Sequence, residues 1–219
     1  MRYRFNFETF KTFARVWRGQ MGIVAALFVT CAALTLLLPH FIGVANLTNV
    51  VRQVSINGIL AVGVTLVLLT GGVDLSLGSV VALAGVTAAH LAHPGDYPAA
   101  VPLLAGVAAG IPVRGVKALA YTMCGALAGL AGVVLAARIT TGQPNAGAGY
   151  ELDAIAAAVI GGTSLAGGVG SVGGTILGVL LLGVIGNGLD LLNVSSYYQQ
   201  IVKGVIIVGA VWFDRRKRV

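Results

Sequence analysis

Asp74, within the stretch TGGVDLSLGS from Thr70 to Ser79, places a carboxylate between two long apolar runs. Moving an unpaired carboxylate to the centre of a bilayer costs about 2.5–3.5 kcal/mol on insertion scales, so the group belongs in a water-lined or protein-lined cavity. Two roles are open to it: a polar group on a transport pathway, or a cap for the helix that begins near Leu75. Ser76 shares the second role, because carboxylate and hydroxyl oxygens both accept bonds from the free N–H groups of a first helical turn. The segment is also repeated. Gly71, Gly72, Val73, Asp74 and Leu75 are echoed by Gly161, Gly162, Thr163, Ser164 and Leu165, and each copy leads into a Gly-Ser pair and a helix of small residues. Corresponding glycine-interrupted apolar segments in two halves of a chain point to a transport path at the repeat interface. The competing reading is that glycine is frequent here, at 32 of 219 residues, and serves close helix packing.

The elements that must position these groups are apolar. Hydrophobic residues make up 57% of the chain and charged residues 10%, against about 25% charged in soluble domains. Mean hydropathy is +0.93. Apolar runs occupy Met21–Leu38, Val54–Thr70, Leu75–Ala92, Ala99–Val113, Val116–Ala137, Ile155–Gly162, Val172–Leu192 and Val205–Phe213. A bilayer core of about 30 Å needs roughly 20 helical residues. Val116–Ala137 and Val172–Leu192 meet that length, and Ile155–Gly162 reads as part of a short or broken helix inside a bundle. The expected fold is all-α: a polytopic transmembrane bundle of about eight segments in two weakly related halves.

Basic residues cluster at the N-terminus (Arg2, Arg4, Lys11, Arg15, Arg18), at Arg114 and Lys117, and at the C-terminus (Arg215, Arg216, Lys217, Arg218). The positive-inside rule puts all three clusters, and so both termini, in the cytoplasm. The net charge of +7 then expresses topology and gives no reason to expect nucleic acid as a partner. Residues 1–20 form a basic amphipathic segment, with Phe10, Phe13 and Trp17 on one side, suited to a helix in the lipid headgroup region. Residues 21–213 form the transmembrane domain, and residues 214–219 a basic cytoplasmic tail. Cys31 and Cys124 lie in apolar runs and indicate neither a disulfide nor a metal pair. A metal site would need closely spaced residues with ligand chemistry, and of the three histidines only His90 and His93 are near one another. No nucleophile elbow, phosphate-binding loop or zinc-protease motif is present. The chain reads as no enzyme, with no catalytic residue and no metal or cofactor of its own.

The segments GILAVGVTLVLLTGGVDLSLGSVVALAGV (Gly58–Val86), GQPNAGAGYELDAIAAAVIGGTSLAGGVGSVGGTILGVLLLGVIGNGLDLL (Gly142–Leu192) and YYQQIVKGVIIVGAV (Tyr197–Val211) resemble the permease subunits of ribose-type ABC sugar importers. The resemblance implies a helical inner-membrane subunit, paired with a second copy and embedded in lipid. Cytoplasmic ATPase subunits would hold ATP and magnesium, and a periplasmic sugar-binding protein would deliver a monosaccharide. Gly71, Gly72, Asp74, Ser76, Gly161, Gly162, Thr163 and Ser164 are then candidates for the translocation path or for helix breaks. The hydroxyls of Thr163 and Ser164 can bond a sugar or a neighbouring carbonyl. Gln143, Asn145, Glu151 and Asp153 fall on an expected external loop before Ile155, as candidate contacts for the binding protein. Asp190 and Lys203, flanking the last external turn, can pair across it.

The chain departs from that family in length. Val101–Gly110 runs almost directly into IPVRGVKALAY, which resembles sequence beyond the family's cytoplasmic coupling segment, so an internal deletion of about 100 residues is expected near 110/111. Loss of central helices would expose packing faces rich in Gly and Ala. A transport-incompetent remnant or interaction protein is therefore the alternative function. An ion-coupled secondary transporter using Asp74 is a weaker one.

Overall fold

The computed structural model describes residues 7–91, 101 and 116–216, with side chains for 20–91, 101, 117–209 and 212. Seven helices occur among them: α1 (Phe7–Leu37), α2 (Val44–Leu69), α3 (Leu77–Leu91), α4 (Val116–Ile139), α5 (Tyr150–Ile160), α6 (Val172–Leu191) and α7 (Ser196–Arg216). Four stretches are long and apolar enough to cross a membrane: Gln20–Leu37, Val44–Leu69, Lys117–Ile139 and Val172–Leu191. α3, with 15 residues, reaches only about 22 Å at 1.5 Å per residue. The expected run Ala99–Val113 lies, apart from Val101, outside the described residues, as do His93 and the junction at 110/111.

The N-terminal segment is continuous with the first span. α1 is one helix of 31 residues, so the boundary expected at residue 20 is not a break in the backbone. The Ile155 segment is the short internal helix the sequence implies: α5 has 11 residues, and Ala154, Ala156, Ala157, Ala158 and Val159 are buried.

α2 is the centre of the bundle. Ile56, Leu60, Val64 and Leu68 recur every fourth residue, which stacks them on one helical face, and they pack against Leu77 and Val81 of α3 and Cys124, Ala128, Ala131 and Leu135 of α4. Small side chains set the distances. A Cβ on Gly63 would stand 3.1 Å from the Cys124 Cα, so the α2 and α4 backbones are nearly in contact. Lipid tails are as apolar as leucine, so hydrophobic transfer does not hold such helices together. Van der Waals packing across close backbones and buried hydrogen bonds do. A second apolar cluster, Phe41, Val50 and Val184 with Leu27, Cys31 and Leu34, seats α1 on α2 and α6. Met21, Phe28, Leu36, Val51, Leu83, Leu119, Ile201 and Val208 are exposed, an apolar exterior suited to lipid and too extensive for a water-facing surface.

Two polar contacts give the bundle its ends. Gln20 Nε2 donates to Ser171 Oγ at 2.9 Å, joining α1 to the N-cap of α6. At the opposite end Asn46 and Asn187 exchange two amide hydrogen bonds, both 2.8 Å. α2 and α6 are thus antiparallel. The first of these ends carries the glycine turns, and the second carries the α4–α5 and α6–α7 connections.

Candidate functional site

The two echoing segments meet in space. α2 ends at Thr70, and Gly71, at φ +74°, turns the chain out of the helix. Gly71 N–H donates to the Leu68 carbonyl at 2.9 Å and Gly72 N–H to the Val67 carbonyl at 3.2 Å. α5 closes in the same way. Gly162, at φ +90°, donates to Val159 at 2.9 Å, and Thr163 N–H donates to Ala158 at 2.9 Å. Both are Schellman caps, in which a left-handed residue satisfies the last carbonyls of the helix. The second loop then docks on the first: Gly168 N–H donates to the Leu69 carbonyl at 3.1 Å, and Gly167 packs on the Gly71 backbone.

The caps correct the register of the repeat by one residue. Gly71 corresponds to Gly162, not to Gly161, which occupies the C-cap position of Thr70. Asp74 and Ser164 nevertheless match in role. Asp74 Oδ1 accepts from Ser76 N–H at 2.9 Å and Ser76 Oγ at 2.6 Å, and Ser164 Oγ accepts from Ala166 N–H at 3.2 Å. Each side chain bonds the backbone two residues on, as short polar residues do in turns. The first linker simply holds one more residue between cap and turn.

Thr163 and Ser164 are buried. Thr163 Oγ1 lies 3.5 Å from Thr175 Oγ1, which itself lies 2.7 Å from Thr65 Oγ1. Thr65 also reaches the Ala61 carbonyl at 2.7 Å. This hydroxyl cluster ties α2, the second loop and α6 together, and Thr65 was not singled out by sequence reasoning. Its signal was faint, since one Thr in an apolar run commonly bonds its own helix. Gly161 and Gly174 lie in backbone contact, as do Ala157 and Gly178, and this brings α5 onto α6.

The four expected loop residues divide. Gln143 and Asn145 are exposed in the α4–α5 connection. Glu151 and Asp153 are corrected: both lie in the first turn of α5, because the helix begins at Tyr150, where acidic residues are favoured by the helix dipole. Glu151 Oε2 is buried with no hydrogen-bond partner among the described residues, against Gly78 in the first turn of α3. Asp153 Oδ2 takes an ion pair with Lys203 Nζ at 2.7 Å. The expected Asp190–Lys203 pair does not form, because Asp190 Oδ1 instead accepts from Gln199 Nε2 at 2.8 Å, on the first turn of α7.

The Asp153–Lys203 pair forms part of the wall of a polar cavity of about 350 Å³, also lined by Gln53, Asn57, Arg138 and Tyr150. Gln53 and Asn57 stand four residues apart on α2 and so share a face. Neither amide has a hydrogen-bond partner among the described residues. These residues come from α2, α4, α5 and α7, and no local motif announces them.

Comparison with known proteins settles the class. The branched-chain amino acid transport system / permease component family matches residues 46–111 and 104–211. The chain belongs to this permease family. The resemblance read from Gly58–Val86 and Gly142–Leu192 is thus membership, and the permease is an all-helical, multi-pass protein of the inner membrane. It is 33% identical to the ribose import permease of Escherichia coli K12 over 310 aligned positions, covering 94% of this chain and 97% of the relative. The ribose import permease of Bacillus subtilis is 31% identical, over 90% and 93% of the two chains. The L-arabinose transport system permease of E. coli K12 is 44% identical over 110 residues, half of this chain and 34% of that one. About a hundred of the 310 positions aligned with the ribose permease have no residue here. The two family segments meet at 104–111, the place of the expected deletion. No solved structure matches the chain.

Proposed function

We propose that this permease is the membrane-spanning subunit of an ATP-driven importer for a monosaccharide, of the ribose type, and forms part of its translocation path. The observation that carries this reading is the two-part family match from residue 46 to 211, together with relatives that import ribose and transport arabinose. A second copy would complete the path. A separate cytoplasmic ATPase would bind ATP and magnesium, and a periplasmic sugar-binding protein would supply the solute. Both termini face the cytoplasm on this reading, in keeping with the basic clusters. Asp74 and the paired glycine turns serve as helix breaks that shape the repeat interface, and Gln143 and Asn145 face the binding protein.

The test is uptake of labelled ribose and arabinose into proteoliposomes that hold this chain, its cognate ATPase and its binding protein, with a full-length relative as positive control. Uptake abolished by an active-site substitution in the ATPase is the expected result.

The missing hundred aligned positions favour one other reading, an internally deleted subunit that inserts but is uncoupled. Intact insertion without ATPase association or uptake would establish it in place of the first.

A further inference from the structure

The cavity between α2, α4, α5 and α7 is lined by one carboxylate and two cations. Asp153 of α5 pairs with Lys203 of α7 at 2.7 Å, and the pair is partly open to water, with 32% of the lysine and 16% of the aspartate side chain exposed. Arg138, at the exposed end of α4, lines the same cavity and has no ion-pair or hydrogen-bond partner among the described residues. The Tyr150 hydroxyl lies in the field of both Arg138 and Asp153, so the free cation and the paired carboxylate flank the same side chain.

α5 is fixed at one end and loosely held at the other. Its last turn is tied to α2 and α6 by the Gly162 cap, the Gly161–Gly174 backbone contact and the Gly168–Leu69 hydrogen bond. Its first turn follows Gly149, which sits at φ +85° and where a Cβ would meet nothing within 4 Å. α5 packs on α2, α6 and α7, and the cavity of about 350 Å³ lies between it and the end of α4. Glu151, in the same first turn, leaves Oε2 buried against Gly78 with no hydrogen-bond partner among the described residues. A buried polar atom without a partner is costly, so the fold does not fully satisfy this turn where it stands.

The two pairs open to Asp153 are closely matched. An ion pair that solvent reaches contributes little net stability, so exchanging one for another costs little. The Arg138 guanidinium is well suited to the exchange, because its planar fork takes a carboxylate in two parallel hydrogen bonds. We infer that Asp153 is a switch: it pairs with Lys203 in the arrangement seen here and with Arg138 in a second one, in which the first turn of α5 swings from α7 across the cavity towards α4. The inference rests on the permease reading, since a permease must change shape to pass its solute, and it names the element that moves.

The experiment measures the α5–α7 distance in the full chain in lipid nanodiscs, by double electron–electron resonance between spin labels at Leu152→Cys and Tyr197→Cys, both exposed positions, with Cys31 and Cys124 replaced by alanine. Two distances are expected. Lys203→Met should enrich the longer one about fivefold and Arg138→Met should deplete it about fivefold, the range that one solvent-reached ion pair can supply. Arg138→Lys should restore part of it. A single distance that neither variant changes, or a shift in the same direction in both, would overturn the inference. Arg138 has no partner to lose, so Arg138→Met should melt as wild type while its ATP-driven uptake falls about fivefold. Unchanged uptake in that variant would overturn the switch as a step of transport. Uptake by a chain whose distances ignore both variants would sink the switch and leave the permease reading standing. Distances that respond as expected in a chain that never takes up sugar with its ATPase would do the reverse.

Discussion

The two ends of the bundle differ in how completely their polar groups are paired: the second pairs Asn46 with Asn187 and Asp153 with Lys203 but leaves others facing a cavity. At the glycine-turn end, Schellman caps, the Ser171 N-cap, the Asp74 and Ser164 turns and the Thr65–Thr175 contact satisfy the polar groups within the protein. At the other end, Gln53, Asn57 and Arg138 face a cavity with no partner among the described residues. Gln53 and Asn57 are half-buried and Arg138 is exposed, so solvent reaches them, whereas Thr65, Thr163 and Thr175 at the first end are buried and must find partners inside the protein. The features most visible in the sequence thus make the scaffold, and the inconspicuous ones make the cavity.

The strongest way to break this contrast is at the α5–α6 contact. A Cβ on Gly178 would meet the Ala157 carbonyl, whereas one on Gly173 meets nothing within 4 Å. Gly178→Val should destabilise the chain by about 1–3 kcal/mol, the usual cost of overpacking, and should lower its thermal midpoint in detergent. Gly173→Ala should be neutral or slightly stabilising, since alanine is the better helix former by about 0.5–1 kcal/mol. Equal midpoints for the two variants would show that α5 and α6 are not in backbone contact.

Next in size are the turns. Gly162 sits at φ +90°, and a side chain in the left-handed region costs about 1–2 kcal/mol. Gly162→Ala should show that loss in the same melting assay, and Gly162→Asn should recover part of it, because asparagine tolerates this conformation.

The hydroxyl cluster and the cavity wall sharpen the comparison directly. Thr175→Val removes a partner of the buried Thr65 hydroxyl and should cost about 1 kcal/mol. Adding Thr65→Val should cost less than the two separate losses combined, as expected for residues in contact. Gln53→Leu, which breaks no hydrogen bond among the described residues, should stay within about 0.5 kcal/mol of wild type. A large loss at Gln53 would mean that the cavity end is as tightly satisfied as the other.

How much of this was legible in the sequence follows from the range of each interaction. The helical membrane class, the short α5 and the kinship of the two glycine turns rest on local composition and spacing, and the structure agrees with them. The one-residue slip between Gly71 and Gly162 was not legible, because Gly-Gly pairs can be aligned in either register until the hydrogen bonds show which residue carries the positive φ. The partner of Lys203 was misjudged for a similar reason. Asp190 is nearer in sequence, but Asp153 is brought to it by the packing of α5 on α7. Glu151 and Asp153 looked like loop residues because they are charged, yet an acidic first turn is also how a helix begins. The cavity combines four helices, and no stretch of chain contains its pattern.

The smallest expected effect belongs to the most conspicuous residue. Asp74 accepts two bonds from Ser76, through the backbone N–H and the hydroxyl, and an asparagine carbonyl oxygen can accept the same two. Asp74→Asn removes the charge and keeps the turn, so melting and ATP-driven uptake should both stay close to wild type. Asp74→Ala removes the acceptor as well and should cost about 1 kcal/mol, the net worth of a hydrogen bond, since Asp74 bonds Ser76 ahead of α3 and no N–H of the helix itself. The order of the two variants separates a turn residue from a pathway charge. If Asp74→Asn abolished uptake while melting as wild type, the carboxylate would be acting on a transported ion or solute. The ion-coupled reading would then gain what the turn reading loses, and the claim that the glycine-turn end is purely scaffold would fall with it.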